Sequence, residues 1–158
     1  MSWAYYSGKV TDLSPNTKDV YDGARATAMM ISIDNESTFR VTLRGLSDTA
    51  MHKEYGAHLH TGPCGLDANG QPTVGGHYNT TPAGQPLVVS DKTGVWLNFQ
   101  VHSVEYARAA AVVPFVPEGI RSITFHEKAT VHHGDGAGTA GLKLACVPLN
   151  IKKVGSPN

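Results

Sequence analysis

Cysteine is scarce in this sequence: Cys64 and Cys146 are the two in 158 residues. That count leaves room for one intramolecular bridge at most, closing a loop of about 80 residues. Net charge is absent as well, because 13 Lys and Arg face 13 Asp and Glu. With a pI near 7.1 the chain has no basic surplus, which argues against nucleic acid or any other polyphosphate as a partner. Long apolar runs are missing too. No stretch approaches the roughly 18 consecutive apolar residues of a spanning helix, so no membrane-spanning segment is expected. The first ten residues, MSWAYYSGKV, have no apolar signal-peptide core. The length suits one domain over residues 1–158, large enough to bury a core.

What the sequence has in surplus is histidine, eight residues, set among 17 glycines and nine prolines. Frequent turn formers between short alternating segments read as an all-β domain. Strands are expected over 3–10, 26–33, 39–46, 55–61, 95–101, 107–113, 122–126 and 142–147. Two long loops, 65–94 and 132–141, interrupt them. About eight strands with such loops predict a sandwich or flattened barrel, and long loops in a compact domain usually carry function.

The cysteine settings favour a bridge. Cys64 follows the turn-like pair Gly62-Pro63, and Cys146 lies in the apolar run 142–147. A crosslink of this span contributes on the order of 4 to 5 kcal/mol in the chain-entropy picture. Two buried thiols are the alternative. A bridged chain is expected to be the mature form of an extracellular, periplasmic or cell-surface protein.

His58 and His60 stand two apart, so a strand places both imidazoles on one face, about 6 to 7 Å apart at the Cα atoms. That spacing can grip one metal ion, and it equally describes the polar face of any exposed strand. His77 follows Gly75-Gly76, which lets the backbone turn sharply, and His126 ends the expected strand 122–126. Neutral imidazole suits copper and zinc alike.

The runs YGAHLHTGPC (55–64), GGHYN (75–79), SITFHEK (122–128) and TAGLKLAC (139–146) resemble, in that order, the signature blocks of the copper/zinc superoxide dismutase family. The resemblance extends from about residue 24 to 149. It implies an eight-stranded Greek-key β-barrel or sandwich, copper held by His58, His60, His77 and His126, a disulfide between Cys64 and Cys146, and superoxide as the substrate, converted to oxygen and hydrogen peroxide. His77 corresponds to the family's bridging histidine, the ligand that exchanges a proton during turnover.

Three departures qualify the likeness. Zinc-containing members carry two further histidines and an aspartate after the bridging histidine. Here the segment 80–94 has no histidine, and only Asp91 matches the aspartate. Four ligands make a structural zinc site, so zinc is expected to be absent and the resemblance moves to the copper-only branch. Lys143 stands where the family has an arginine beside copper; it keeps the charge that draws an anion and loses the planar fork that orients it. The loop from Thr130 to Gly136 is shorter and less charged than the family's steering loop, and it holds His132 and His133, expected at the rim of the site or simply exposed. His52 and His102 fall outside every block and are expected at the surface. With no net charge, attraction of superoxide would be local, from Lys143 and the copper. The competing expectation is a copper-binding relative that stores, buffers or delivers the ion with little turnover.

Overall fold

The computed structural model describes residues 1–155. Among them are ten strands: β1 (Ser2–Lys9), β2 (Thr11–Asp12), β3 (Arg25–Ile33), β4 (Glu36–Arg44), β5 (Glu54–Tyr55), β6 (Ala57–His60), β7 (Phe99–Gln100), β8 (Ala107–Val113), β9 (Gly119–His126) and β10 (Lys143–Lys153). Seven of them pair antiparallel in the order β6-β9-β10-β1-β3-β4-β8, and β2 adds to β10. The sheet curls into a half-barrel. β5 and β7 form a small second sheet; β5 leads into β6 through Gly56, and β7 packs against β8 at the opposite edge.

Strict alternation makes the middle of this sheet. In β3 and β4 every second residue is buried, so Ala26, Ala28, Met30, Phe39, Val41 and Leu43 face the core while Arg25, Ile31, Arg40 and Arg44 face solvent. At β6 and β9 the pattern changes. All four residues of β6 and the last five of β9 are buried, because loops cover the outer face as well. Ala57, Leu59, Ile123 and Phe125 join the core, and His58, His60, Ser122, Thr124 and His126 point the other way, under the loops.

The expected strand boundaries shift where local chemistry intervenes. The expected strand 55–61 is two strands, parted at Gly56, whose N–H bonds the Lys128 carbonyl at 2.8 Å. A side chain at Gly56 would collide with Thr130 and Ala140. The expected strand 95–101 pairs regularly only at Phe99–Gln100. Upstream it runs beside β6 through single bonds, Leu59 N–H to the Val95 carbonyl at 3.0 Å and Leu97 N–H to the Ala57 carbonyl at 2.7 Å. β10 continues to Lys153, six residues beyond expectation, because β9 pairs with it as far as Ile151 and β1 with its end. No strand forms within 132–141, and 65–94 contributes only isolated bridges, so both expected loops are present.

Cys64 and Cys146 form a disulfide, Cα to Cα 5.6 Å. With Leu13 and Val74, Cys146 makes a small apolar cluster outside the main core, and Cys64 and Leu66 pack on it. The bridge therefore fastens the start of the 65–94 loop to the central strand β10. Among the described residues no helix is long and apolar enough to cross a membrane. Replacing both cysteines by serine is expected to lower the unfolding free energy by about 2–5 kcal/mol in urea denaturation; an unchanged denaturation midpoint would show that the loop is held without the bridge.

Candidate metal centre

Four elements converge on the covered face of β6 and β9. β6 supplies His58 and His60, whose ring centroids lie 6.2 Å apart, and the end of β9 supplies His126. His77 arrives from the long loop. Residues 74–78 run alongside β6: Gly62 N–H bonds the Val74 carbonyl at 2.7 Å, Thr61 N–H the Gly76 carbonyl at 2.9 Å, and Tyr78 N–H the Leu59 carbonyl at 2.8 Å. Gly75 turns this segment with φ +70°, and a Cβ there would meet Thr61 Oγ1 at 2.6 Å, so glycine is required on both counts. The resulting ring separations are 4.2 Å for His58–His77, 4.7 Å for His60–His77 and 4.8 Å for His58–His126. One ligand nitrogen from each of the four lies within 4.8 Å of the others.

The proton on each ring follows from its partner. His60 Nδ1 lies 2.9 Å from the Gly75 carbonyl and His126 Nδ1 3.3 Å from the Gly141 carbonyl. A carbonyl only accepts, so each Nδ1 carries its proton and donates, which leaves both Nε2 atoms as bare lone pairs. Those two atoms face each other at 3.2 Å. Burial first, then the neighbouring rings and the Lys143 charge, push the His60 pKa down to about 3 and that of His126 to about 4, against carbonyl bonds that pull the other way. His77 is lowered by burial and by Lys143, and His58 falls furthest, by burial and its three histidine neighbours. At neutral pH no proton sits between the facing lone pairs.

That arrangement fits a metal ion. Two nitrogens each about 2.0–2.1 Å from one ion at the tetrahedral angle lie about 3.3 Å apart, close to the separation here. Metal binding needs neutral imidazole, which the site already imposes. His58 Nδ1 is buried without any hydrogen-bond partner, a cost that coordination would remove.

Lys143 reaches the same place through an irregularity in β10. A register shift between Lys143 and Ala145 sets Lys143, in place of Leu144, opposite His126. Its Nζ donates to the Gly75 carbonyl at 3.0 Å. A cleft of about 500 Å3 opens beside it, lined by Leu87, Val89 and Ala137 to Gly141 together with His77, His126 and Lys143, and by no carboxylate. Gly138 forms part of this wall; a Cβ there would strike Val89 and lie 3.6 Å from His77 Nδ1.

The remaining predicted residues stay outside. Asp91 is exposed and is not grouped with the histidines. His132 is exposed and packs edge-on against Trp96 at 5.5 Å; Trp96 in turn meets His58 at 5.8 Å, so His132 touches the rim through an indole. His133 lies beyond it, and His52 and His102 are exposed elsewhere. Sequence reasoning missed Thr130, whose Oγ1 lies 2.8 Å from His58 Nε2, Asn98, which accepts from the Thr130 hydroxyl at 2.6 Å, and Tyr21, whose buried hydroxyl donates to the His126 carbonyl at 2.6 Å. No sequence signal singles out Asn98 or Tyr21; Thr130 closes the FHEKAT run four residues after His126. No protein-family model and no curated relative matches the chain.

The lowered pKa values fix a pH response for the metal-free protein. Unfolded histidine titrates near 6.5, whereas folded His60 and His126 do so near 3 and 4. Between those limits the unfolded chain binds protons that the folded chain refuses, so stability falls as pH falls from 6.5 and levels off only below the folded values. Denaturant midpoints of the metal-free protein should be lower at pH 5 than at pH 7.5, and His126→Asn should flatten the slope. Equal midpoints for the parent would contradict the neutral, buried cluster.

Proposed function

We propose that the chain is a copper-dependent superoxide dismutase working at a mononuclear copper site without zinc, in a Greek-key barrel of the copper/zinc superoxide dismutase family. The observation that carries the reading is the pair of bare nitrogens, His60 Nε2 and His126 Nε2, facing at 3.2 Å within four neutral imidazoles. The ordered sequence blocks around those histidines supply the choice of copper and of superoxide. His58, His60, His77 and His126 would hold the ion, and bound copper supplies a reversible one-electron couple at a site of imidazole donors. Overall, two superoxide anions and two protons become one dioxygen and one hydrogen peroxide.

The chain's own residues have separate tasks in this reading. Lys143 is the single cation among the cleft residues and draws the anion inward; its bond to the Gly75 carbonyl fixes where the ammonium stands. His77 is half-buried in the cleft lining, with Nδ1 on the Gly138 side, and that nitrogen is the place to hold a proton. The absence of histidine from 80–94 and the exposed position of Asp91 support a site without zinc. The disulfide is consistent with an oxidising compartment, and the proposal places the protein outside the cytosol.

One observation favours a second reading, a copper-binding relative that stores or delivers the ion. Lys143 replaces the family's arginine and already spends one of its N–H groups on Gly75. The purified protein is expected to hold one copper per chain and no zinc by elemental analysis; a full zinc equivalent overturns the copper-only assignment. In pulse radiolysis the copper-loaded protein should remove superoxide catalytically, and Lys143→Met should slow it by roughly tenfold or more. Stoichiometric consumption selects the second reading, and an unchanged rate removes Lys143 from the mechanism.

A further inference from the structure

Asn98 and Thr130 form a short proton-ordered chain behind His58. Asn98 Oδ1 accepts the Ala57 N–H at 3.2 Å and the Thr130 hydroxyl at 2.6 Å. Because a backbone N–H can only donate, the Asn98 atom facing Ala57 has to be the oxygen, which settles the orientation of that amide. The hydroxyl of Thr130 has one proton, and Asn98 takes it. Thr130 Oγ1, 2.8 Å from His58 Nε2, is left to accept. Thr130 is 4% exposed, so water does not offer an alternative donor or acceptor there.

We infer that Thr130 and Asn98 are positioning residues for the metal centre: they hold the proton of His58 on Nε2 and fix its ring so that Nδ1 is the donor atom. The inference rests on the metal-binding reading of the histidine cluster and is independent of whether superoxide is the substrate. His58 then presents the opposite nitrogen from His60 and His126, whose Nδ1 protons are taken by Gly75 and Gly141. It also accounts for the buried His58 Nδ1, which has no hydrogen-bond partner. The anchor of the chain is the backbone amide of Ala57, the residue before His58. The strand that carries the ligand therefore also sets the ligand's outer hydrogen bond, through a side chain from the 96–98 segment and another from the loop after β9. Outer partners of metal-bound histidine orient the ring and raise its basicity, and their loss typically costs about 10–100-fold in metal affinity.

The first test needs no metal and no substrate. Long-range proton–nitrogen correlation spectra of the metal-free protein at pH 7.5 should show His58 protonated at Nε2, and His60 and His126 protonated at Nδ1. A proton on His58 Nδ1 overturns the assignment. The second test compares Thr130→Val, which keeps the shape and removes the acceptor, with Thr130→Ser, which restores it. Cu(I) affinity, read by competition with a coloured chelator, should fall about 10–100-fold in Thr130→Val and return close to the parent in Thr130→Ser. Parent-like affinity in a folded Thr130→Val protein overturns the positioning role. Should Thr130→Val fail to fold, Asn98→Asp serves: the acceptor stays and gains charge, so the His58 Nε2 proton resonance should move downfield. An unmoved resonance overturns the proposal.

Discussion

The carbonyl oxygen of Gly75 accepts two hydrogen bonds, one from His60 Nδ1 at 2.9 Å and one from Lys143 Nζ at 3.0 Å. Much of the site depends on that atom being where it is. It fixes which nitrogen of His60 is bare, and it sets the distance at which a lysine charge stands from four imidazoles. It belongs to the segment that delivers His77. Its place is set by a left-handed glycine, by the bonds that run residues 74–78 along β6, and by the disulfide that holds the root of the loop to β10. A half-barrel with one well-ordered sheet is the scaffold, and the chemistry sits where loops cover its outer face.

Four neutral imidazoles in a buried space resist protons for the reason that suits them to a metal. Burial alone disfavours the charged ring, and each neighbour adds to the penalty. A metal ion brings charge as well, but it shares that charge among several donors that already point inward, whereas a proton sits on one. Lys143 is on the edge of this balance: it lowers the proton affinity of three of the histidines while remaining at a cleft open to solvent.

How much of this could be read from residues alone varies with how local the cause is. The single face of His58 and His60 follows from the two-residue period of a strand, and the alternation of β3 and β4 is plain in RATAMMISI and ESTFRVTLR. The division of 55–61 was hidden because it comes from the crowding of Gly56 by Thr130 and Ala140, far away in sequence. His77 was marked locally by Gly75-Gly76 and Lys143 only by resemblance to known blocks: one depends on a glycine turn and backbone bonds to β6, the other on a one-residue slip in β10. Asn98 carried no pattern at all, and Thr130 only its place four residues after His126. Their roles arise from three hydrogen bonds between segments 32 to 72 positions apart.

The disulfide has a further meaning in how the four imidazoles are placed. His58, His60 and His126 ride on directly paired strands, β6 and β9, and reach one another as soon as that pairing forms. His77 rides on the loop whose first residues are anchored by Cys64. Three of the imidazoles are therefore placed by sheet pairing, and the fourth by a loop that is tied both to β6 and, through the bridge, to β10. The bridge thus acts on the one imidazole whose place depends on a loop, and leaves the three that ride on paired strands to the sheet.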